Sequence, residues 1–371
     1  MKKEKGKIKK IAINTGGGDA PGLNAVIHAV VISALNRSWE CVGIRDGYNG
    51  LFLPENYPKG GLIELTREKV ENITSLGGTI LGTTNRGNPF KYPMKSVNGQ
   101  IVEIDRSDEI MTAFKRNQID ALVAIGGDGS LSMANNFAQK GLRVVGVPKT
   151  IDNDLDETVA TFGFDTAISF ATNCIDRLHP TAQAHSRVMV VEVMGRYAGW
   201  IALECGIASS ADVILIPEIP YDIKKVAEFL TEVTFKKQNY AIVVVAEGAK
   251  PKGGDVSVVE KEMGKAERLG GISDIVAHQL QKLVEKETRS TVLGHLLRGG
   301  SPTTFDRLLS LRFGAAAVRA LEEGQSGIMV ALDPPTVNYV PLEKVTNRMK
   351  VVPTECDIMW TARDLGICFG D

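Results

Sequence analysis

Short apolar runs recur along the chain, and each is followed by glycine or a turn and then by a longer helical pattern. The runs are rich in Val and Ile and are apolar on both faces, which is typical of parallel strands buried between helices. They read KIAIN, ALVAIGG, RVVGVP, VMVVEVMG, DVILIPE, AIVVVAEG and STVLGH. The pattern predicts an α/β fold with doubly wound, mainly parallel sheets.

The length of the chain predicts more than one domain, because 371 residues are too many for a single small core. A domain break is expected at 154–163, after a dense cluster of turns, and a return crossing is expected at 294–302. We predict one Rossmann-like domain formed by 1–163 with 297–349 and a second formed by 164–296 with 350–371.

The composition of the chain indicates which class of binding partner to expect. With 43% hydrophobic and 23% charged residues and a formal net charge of −1, the chain shows no overall attraction to nucleic acid or to an anionic membrane. Its five cysteines are scattered and never spaced as C-x-x-C, which argues against a disulfide framework or a structural zinc site. We therefore expect small-molecule partners and a reducing, cytoplasmic location.

Residues with suitable chemistry follow the apolar runs. In doubly wound sheets, ligands gather at the carboxyl ends of the strands, where turns leave backbone N–H groups free. The candidate residues lie at 16–19, 126–130, 149–154, 194–196, 247–248 and 295–298.

Two of these positions are glycine turns, TGGGDAPGLNA at 15–25 and IGGDGS at 125–130. Bare glycine backbone can approach a phosphate, whose charge is then held by free N–H groups and by a helix N-terminus. Neither turn is a P-loop or a clean dinucleotide-binding fingerprint. Tight turns without a ligand are the alternative interpretation.

Asp128 stands beside the second glycine turn. A carboxylate there would repel phosphate unless a cation such as Mg²⁺ lay between them, so Asp128 is the candidate magnesium ligand. The alternative makes Asp128 the N-cap of the helix that reads SLSMANNFAQ.

The segment PKTIDND, at 148–154, combines a lysine, a threonine and two aspartates. If Ile151 points into the protein, Thr150 and Asp152 share the opposite face of an extended segment. One aspartate can then accept a proton from a substrate hydroxyl while Lys149 and Thr150 bind phosphate oxygens, the division of labour that phosphoryl transfer requires. A common turn composition is the alternative.

A third group is basic and is expected at strand ends: Arg187, Arg196, Arg289, His295 and Arg298. Guanidinium groups suit bidentate phosphate binding, and strand ends are unusual places for solvated arginines. Each arginine alone could be exposed or salt-bridged, and His295 could be a core histidine. Together with the glycine turns and aspartates, the group predicts a site that moves a phosphoryl group between two phosphorylated ligands.

The ordered motifs resemble those of the phosphofructokinase family. They are GGDAPGLNAVI, GGTILG, IGGDGS, PKTIDND, GFDTA, VVEVMGRYAGWIAL, AEGA and GHLLRGGSPTTFDR, and the match runs over 9–321. The resemblance implies two α/β domains with the active site in the cleft between them. It also implies Mg²⁺ as cofactor and, as a step of glycolysis, phosphoryl transfer from ATP to the 1-hydroxyl of fructose 6-phosphate. The first domain would bind ATP and Mg²⁺, and the second the sugar phosphate.

The resemblance also implies roles for individual residues. Asp152 is the general base, Thr150 and Arg196 act beside it, and Asp128 is the magnesium ligand. The nucleotide is bound by Gly18, Tyr48, Arg86, Gly127, Gly129, Ser130 and Lys149. The sugar phosphate is bound by Asp154, Met194, Gly195, Glu247, His295 and Arg298, with Arg187 and Arg289 reaching it from a neighbouring subunit. The family therefore implies a homo-oligomer, a dimer or a tetramer, with sites across the interface.

Two positions point to different phosphoryl donors. Gly129 follows the magnesium aspartate, as in ATP-using members, where an aspartate would crowd the α-phosphate. Lys149 is usual in pyrophosphate-dependent members, although a third, ATP-using group also combines this glycine with lysine. We favour ATP because Gly129 acts sterically on the nucleotide itself, and pyrophosphate stays the alternative donor.

Other departures from the family pattern leave further alternatives open. One extra residue precedes Arg86, which makes its match to the family's donor-binding arginine less direct. His28 and Ile32 replace arginines that bind the regulatory nucleotide in many bacterial members, so activation by ADP and inhibition by phosphoenolpyruvate are not expected. A kinase for another sugar phosphate, such as sedoheptulose 7-phosphate, and a non-catalytic sensor are alternatives, but the presence of Asp152 favours an enzyme.

Overall fold

The computed structural model describes residues 7–96, 98–260, 268–346 and 348–371. Its strands are β1 (Lys10–Thr15), β2 (Glu40–Ile44), β3 (Leu62–Glu64), β4 (Tyr92–Lys95), β5 (Ile101–Ile104), β6 (Ala121–Gly126), β7 (Arg143–Pro148), β8 (Val188–Val193), β9 (Val213–Leu215), β10 (Ala241–Ala246), β11 (Val258–Glu260), β12 (Arg268–Leu269), β13 (Thr288–Val292), β14 (Ile328–Asp333) and β15 (Thr336–Pro341).

The helices are α1 (Leu23–Leu35), α2 (Asn49–Phe52), α3 (Arg67–Val70), α4 (Ser107–Arg116), α5 (Asp128–Gln139), α6 (Phe164–His185), α7 (Trp200–Ala208), α8 (Ile223–Phe229), α9 (Phe235–Lys237), α10 (Ile272–Gln281), α11 (Thr304–Glu322), α12 (Leu342–Val345) and α13 (Asp357–Asp364). A π-helical turn covers Leu230–Thr234, and 3₁₀ turns cover Pro54–Asn56 and Gly294–Arg298. Within the described residues, no helix is both long enough and apolar enough to cross a membrane.

The chain divides into two units, each with its own sheet. The first unit comprises Met1–Thr150, Leu155–Gly163 and Arg298–Met349, and the second comprises Ile151–Asp154, Phe164–Leu297 and Lys350–Asp371. The PKTIDND motif therefore divides: Lys149 and Thr150 belong to the first unit, and the two aspartates belong to the second.

The first unit is built on a seven-stranded sheet in the order β15-β14-β7-β6-β1-β2-β3. The five central strands are parallel, while β15 and β3 run antiparallel at the edges. Every residue of β6 is buried, as expected for a parallel strand that is covered on both faces. Strands β4 and β5 form a separate antiparallel pair.

Successive side chains of the central strands point to two different layers of helices. In one core cluster, Ile11 and Ile13 of β1 pack with Leu23 of α1 and Phe313 of α11. Ala12, between them in sequence, belongs to a second cluster with residues of α4, α5 and α12. Helices therefore cover both faces of the sheet, and the expectation of a doubly wound α/β fold is confirmed.

The second unit is built on four parallel strands in the order β13-β8-β10-β9. Val190 of β8 and Val243 of β10 pack in one core cluster with residues of α8 and α10. Helix α7 packs on the other side, where Gly206 lies against Ile214 and Val244. The large sheet of each unit is thus wholly or mainly parallel, as the apolar runs predicted.

Helices α1 and α11 approach each other closely at Gly314. An ideal Cβ atom at this position would lie 2.7 Å from Ala29 Cβ and 2.7 Å from the carbonyl oxygen of Val26. The obstructing atoms belong mainly to the backbone of a buried helix, which cannot move aside without disturbing the core. The helix contact therefore requires glycine at this position.

We expect Gly314→Val to lower the midpoint of thermal unfolding by several degrees, because the branched side chain would overpack this contact at a cost of about 1–3 kcal/mol. Ala315→Val is the control, since it adds a branched side chain at the next, half-buried position of the same helix. Melting curves followed by circular dichroism compare both variants with the wild type. Equal melting of the two variants would contradict the close approach.

Candidate active site

Three neighbouring parallel strands of the first unit end in turns that carry predicted site residues. The turn 16–19 follows β1, the turn 126–130 begins at the end of β6, and Lys149 follows β7. The backbone N–H of Gly16 donates to Ile125 O at 2.9 Å, and the backbone N–H of Lys149 donates to Gly126 O at 3.0 Å. The three turns are therefore joined along one edge of the sheet.

Ser130 explains two of the glycines in these turns. An ideal Cβ atom would lie 2.5 Å from Ser130 Oγ at Gly16 and 2.6 Å from it at Gly126. Any side chain at either position would displace Ser130 or the turn itself. The glycines thus allow the turns after β1 and β6 to pack around one hydroxyl group.

Lys149 crosses from its own strand end to the first glycine turn. Its side chain is buried, and its ammonium group donates a hydrogen bond to the carbonyl oxygen of Gly18. The ammonium nitrogen also lies 3.3 Å from where a Cβ atom of Gly17 would be. Lys149 therefore supports the glycine turn and places a positive charge beside it.

Asp128 and Gly129 begin helix α5. Gly127, with an extended backbone, is the N-cap residue, so the interpretation of Asp128 as N-cap is wrong. Asp128 is instead the first helical residue, and its side chain is exposed. An ideal Cβ atom at Gly129 has no heavy atom within 4 Å. The protein itself leaves open space at this helix N-terminus, where negative charge is favoured.

The surroundings of Asp128 fit a magnesium ion that is shared with a ligand. Among the described residues, no group of three or more His, Cys, Asp or Glu side chains could hold a metal ion. Mg²⁺ does not need such a cage, because it keeps several waters and is usually bound through one or two carboxylates and the phosphates of a substrate. The exposed Asp128 carboxylate, next to turns that suit phosphate, offers this type of coordination.

Two threonines that sequence reasoning missed hold the turn after β1. Thr83 Oγ1 donates to Gly17 O at 2.6 Å, and the backbone N–H of Gly17 donates to Thr84 O at 3.1 Å. The backbone N–H of Arg86 donates to Thr84 Oγ1 at 3.0 Å, and the Arg86 side chain is exposed. Arg86 is thus carried by a segment that is fastened to the glycine turn, despite the extra residue before it.

Tyr48 lies in the core of the first unit. Its ring centroid is 5.2 Å from that of Phe137, and burial raises the pKa of its hydroxyl group well above the ordinary value. The side chain therefore stays neutral and contributes packing here, and its contact with a nucleotide stays a prediction.

Arg298, predicted from the sequence to bind the sugar phosphate, lies over the first glycine turn. Its Nη1 donates to Asp19 O at 3.0 Å and would lie 2.7 Å from a Cβ atom at Gly18. Glycine at position 18 therefore makes room for the guanidinium group.

The second unit brings another set of predicted residues to one sheet edge. Met194, Gly195 and Arg196 follow β8, Glu247 follows β10, and His295 comes shortly after β13. These three strands are parallel neighbours, so their carboxyl ends meet. His295 is exposed, and the interpretation of it as a core histidine is wrong.

The turn after β8 has a constrained backbone. Gly195 has φ 142° and Arg196 has φ 54°, a left-handed conformation that is uncommon for residues other than glycine. The backbone N–H of Arg196 donates to Glu247 Oε1 at 3.0 Å. An ideal Cβ atom at Gly248 would lie only 1.9 Å from Arg196 O. The turn after β10 thus holds Arg196 in place and leaves its guanidinium group exposed.

The segment with Asp152 is not the extended segment that we expected. Thr150, Ile151 and Asp152 are all buried, and Asn153 has φ 50°. A left-handed residue interrupts the alternation of faces, and asparagine tolerates this conformation better than most residues. Ile151 is buried, as the expectation required, but the segment does not stay extended past Asp152, and a shared face for Thr150 and Asp152 stays a prediction.

Lys350 fixes this segment, and sequence reasoning missed it. Its ammonium group donates to Asn153 Oδ1 at 2.9 Å, and its backbone N–H donates to Asp154 O at 2.9 Å. No local motif marks a lysine that lies almost two hundred residues away in sequence.

Arg187 and Arg289 lie at the beginning of their strands, away from the strand ends that Arg196 and His295 follow. Arg187 directly precedes β8, and Arg289 is the second residue of β13, so the expectation that all five basic residues follow strands is wrong for these two. Both pair with Glu287, Arg187 through Nε at 2.6 Å, and the Arg187 guanidinium lowers the pKa of that carboxyl group. At about 3.3 Å per residue, Arg187 is roughly 20 Å from Met194 at the other end of the strand.

The two positions that replace family arginines on α1 make internal contacts. His28 Nδ1 lies 2.7 Å from Val70 O, and Ile32 packs against the core of the first unit. Neither side chain supplies a permanent positive charge for an anionic effector.

Comparisons with known proteins agree with these features. A family model described as phosphofructokinase matches residues 10–321. The chain is 50% identical over 369 residues to ATP-dependent 6-phosphofructokinase 2 of Clostridium perfringens (strain 13 / Type A), covering 98% of this chain and 99% of that protein. It is 46% identical over 349 residues to the pyrophosphate–fructose 6-phosphate 1-phosphotransferase of Amycolatopsis mediterranei (strain S699), covering 93% and 97% respectively.

A solved structure shares the fold. Phosphofructokinase of Pichia pastoris in the T-state matches with a TM-score of 0.77 and 31% sequence identity over 92% of this chain. This chain spans only 35% of the length of the Pichia chain.

We expect Lys149→Met to lower the thermal midpoint by several degrees in the absence of ligands. The variant loses a buried, charge-assisted hydrogen bond to Gly18, worth about 1.5–3 kcal/mol. The control, Lys140→Met, removes an exposed ion pair with Asp108 that solvent screens, so it should change the midpoint little. Thermal shift measurements test the difference, and equal midpoints for the two variants would contradict a supporting role for Lys149.

Proposed function

The chain belongs to the phosphofructokinase family, and we propose that it transfers the terminal phosphoryl group of ATP to the 1-hydroxyl of fructose 6-phosphate. The products are fructose 1,6-bisphosphate and ADP, and the reaction serves glycolysis in the cytoplasm. The observation that carries the proposal is the edge of the first unit's sheet, where joined glycine turns, a buried lysine and an exposed aspartate lie at adjacent strand ends. The 50% identity to an ATP-dependent relative supports it.

The first unit binds the donor. Backbone N–H groups of the glycine turns and the N-terminus of α5 hold phosphate oxygens. The nucleotide contacts Gly18, Tyr48, Arg86, Gly127, Gly129, Ser130 and Lys149. Asp128 holds Mg²⁺, which supplies neutralising charge to the donor phosphates. Such groups suit the reaction because phosphoryl transfer depends mainly on positioning the reactants and on stabilising the charge of the phosphates.

The second unit supplies most of the acceptor residues. Asp152 accepts the proton of the sugar 1-hydroxyl, with Thr150 and Asp154 beside it, and Arg196 offsets negative charge on the transferring group. The sugar and its 6-phosphate contact Met194, Gly195, Glu247, His295 and Arg298. The exposed guanidinium of Arg196, on a backbone held by Glu247, supports this assignment.

Arg187 and Arg289 bind the 6-phosphate held by a neighbouring copy of the chain. Their position supports this role, since Arg187 lies at the opposite end of β8 from Met194, roughly 20 Å away within one chain. The proposal therefore includes a homo-oligomer, a dimer or a tetramer, in which one copy completes the site of another.

ATP is the preferred donor because open space surrounds Gly129. The second candidate is pyrophosphate, which Lys149 favours and which the name of the Amycolatopsis relative specifies. The Lys149 ammonium group already donates to Gly18, and this contact gives the lysine a structural reason to be present with either donor.

We expect purified protein to form fructose 1,6-bisphosphate from fructose 6-phosphate and Mg²⁺ with ATP as the sole donor. Coupled assays with ATP or pyrophosphate measure the rate for each. Turnover with pyrophosphate alone would contradict the donor assignment, and turnover with neither would contradict the proposed function.

Asp152→Ser is the control for this assay. Loss of the general base should reduce kcat by about 10²–10⁴-fold. Full activity of this variant would mean that the measured rate comes from a contaminating kinase or that another group accepts the proton.

We expect Gly129→Asp to fold like the wild type and to lose ATP-dependent turnover by about 10²-fold or more. The new side chain meets open space in the protein, but its carboxylate would crowd and repel the nucleotide phosphates. Gly129→Ala, which adds only a methyl group, is the matched control and should retain much more activity. ATP-dependent turnover of Gly129→Asp within a few-fold of the wild type would contradict the contact.

A further inference from the structure

We propose that Lys350 is a positioning residue for phosphoryl transfer, because it fastens the segment of the base Asp152 to helix α7 and, through the adjoining chain, to the turn that carries Arg196. The inference rests on the proposed function. It concerns contacts within the second unit only.

Lys350 holds the middle and the end of the Asp152–Asp154 segment. Its ammonium group donates to Asn153 Oδ1, and its backbone N–H donates to Asp154 O, each at 2.9 Å. Asn153 lies between the two aspartates with φ 50°. Asparagine tolerates this conformation better than most residues other than glycine, and hydrogen bonds from neighbouring groups stabilise it further. The two bonds from Lys350 supply such stabilisation directly beside the base.

Lys350 is in turn fixed to helix α7. Its carbonyl oxygen accepts a hydrogen bond from Trp200 Nε1 at 2.9 Å, and its ammonium nitrogen lies 5.8 Å from the centroid of the Trp200 ring. Burial raises the pKa of Glu204, one turn further along α7, to about 7, and the positive charge of Lys350 opposes this shift. The lysine thus packs against one side of α7, which anchors it independently of its bonds to the catalytic segment.

A second contact ties the same stretch of chain to the Arg196 turn. Glu218 Oε1 accepts from the backbone N–H of Gly199 at 3.0 Å and from that of Val352 at 2.9 Å. Gly199 lies three residues after Arg196 and directly precedes α7. The stretch 350–352 therefore connects the segment of the base with the turn that carries the arginine.

The expected consequence is a loss in kcat with little change in donor binding. Without the Lys350 ammonium group, the Asn153 amide loses its hydrogen bond directly beside the base, and Asp152 is held less firmly. A displacement of about 1 Å in a catalytic group can cost about 10²-fold in rate. The residues proposed to bind ATP belong to the first unit, whereas Lys350 and the segment that it holds belong to the second. The KM for ATP should therefore change little.

The test compares Lys350→Met with Lys350→Arg and Lys282→Met. We expect kcat of Lys350→Met to fall by about 10²-fold while the KM for ATP stays within about threefold. Lys350→Arg, which can still donate to Asn153, should recover part of the rate. Lys282→Met removes an exposed lysine on the same unit and should match the wild type. Wild-type kcat in Lys350→Met would overturn the inference.

A double-mutant cycle with Asn153→Gly tests the contact from its other side. Glycine accepts φ 50° but lacks the amide, so it removes the hydrogen bond without forcing a new backbone conformation. If the two residues act together, the double variant should be no slower than Lys350→Met by more than about threefold. Multiplication of the two single losses would overturn the inference.

The outcomes also separate this inference from the proposed function. A wild type that does not turn over fructose 6-phosphate contradicts the proposed function itself. An active wild type with active Lys350→Met and Asn153→Gly variants contradicts only the role of Lys350. If Lys350→Met does not fold, Asn153→Gly alone decides, because unchanged kcat in that variant would already exclude the positioning contact.

Discussion

The arrangement of this protein depends on one constraint, which is that parallel strands covered on both faces leave only their ends for chemistry. Every residue of β6 and of β8 is buried, so no side chain within these strands can meet a polar ligand. Because the strands are parallel, their carboxyl ends meet along one edge, where turns expose backbone N–H groups. Both units place most of their candidate site residues at such an edge, and sequence positions that are far apart become neighbours there.

The two units use this edge in different ways. In the first unit, glycine turns approach one another around Ser130, and the proposed anion site consists largely of backbone N–H groups and a helix N-terminus. In the second unit, charged side chains occupy the edge, and their positions depend on a constrained backbone at Arg196 and Asn153. Backbone donors suit a phosphate chain, which must be held closely. Side chains suit an acceptor, which must be recognised and deprotonated.

Local sequence patterns predicted the features that have local causes. Apolar runs of Val and Ile identified the strands, and the glycines around Asp128 identified the turns, because both signals lie within a few neighbouring residues. The extended interpretation of the Asp152 segment did not foresee the left-handed Asn153, whose side chain is bonded to Lys350, a residue remote in sequence. The prediction that Arg187 follows a strand was wrong for a simpler reason, because the apolar run of β8 begins at Val188, directly after Arg187.

Contacts between distant segments left no signal in the sequence. Thr83 and Thr84 hold the first glycine turn, and Glu218 joins Gly199 to Val352, yet neither the two threonines nor Glu218 and Val352 stand in one of the motifs that carry the resemblance. Gly129 and Lys149 show the same distinction within the candidate site. Gly129 has no side chain, and the space around it is open to a ligand. This interpretation of Gly129 depends only on the local turn. Lys149 donates a hydrogen bond to Gly18, which lies in the turn after another strand. The lysine therefore supports the structure, whereas the sequence motif links it only to the choice of phosphoryl donor. The open space at Gly129 is therefore stronger evidence about the phosphoryl donor than the presence of Lys149, and it favours ATP.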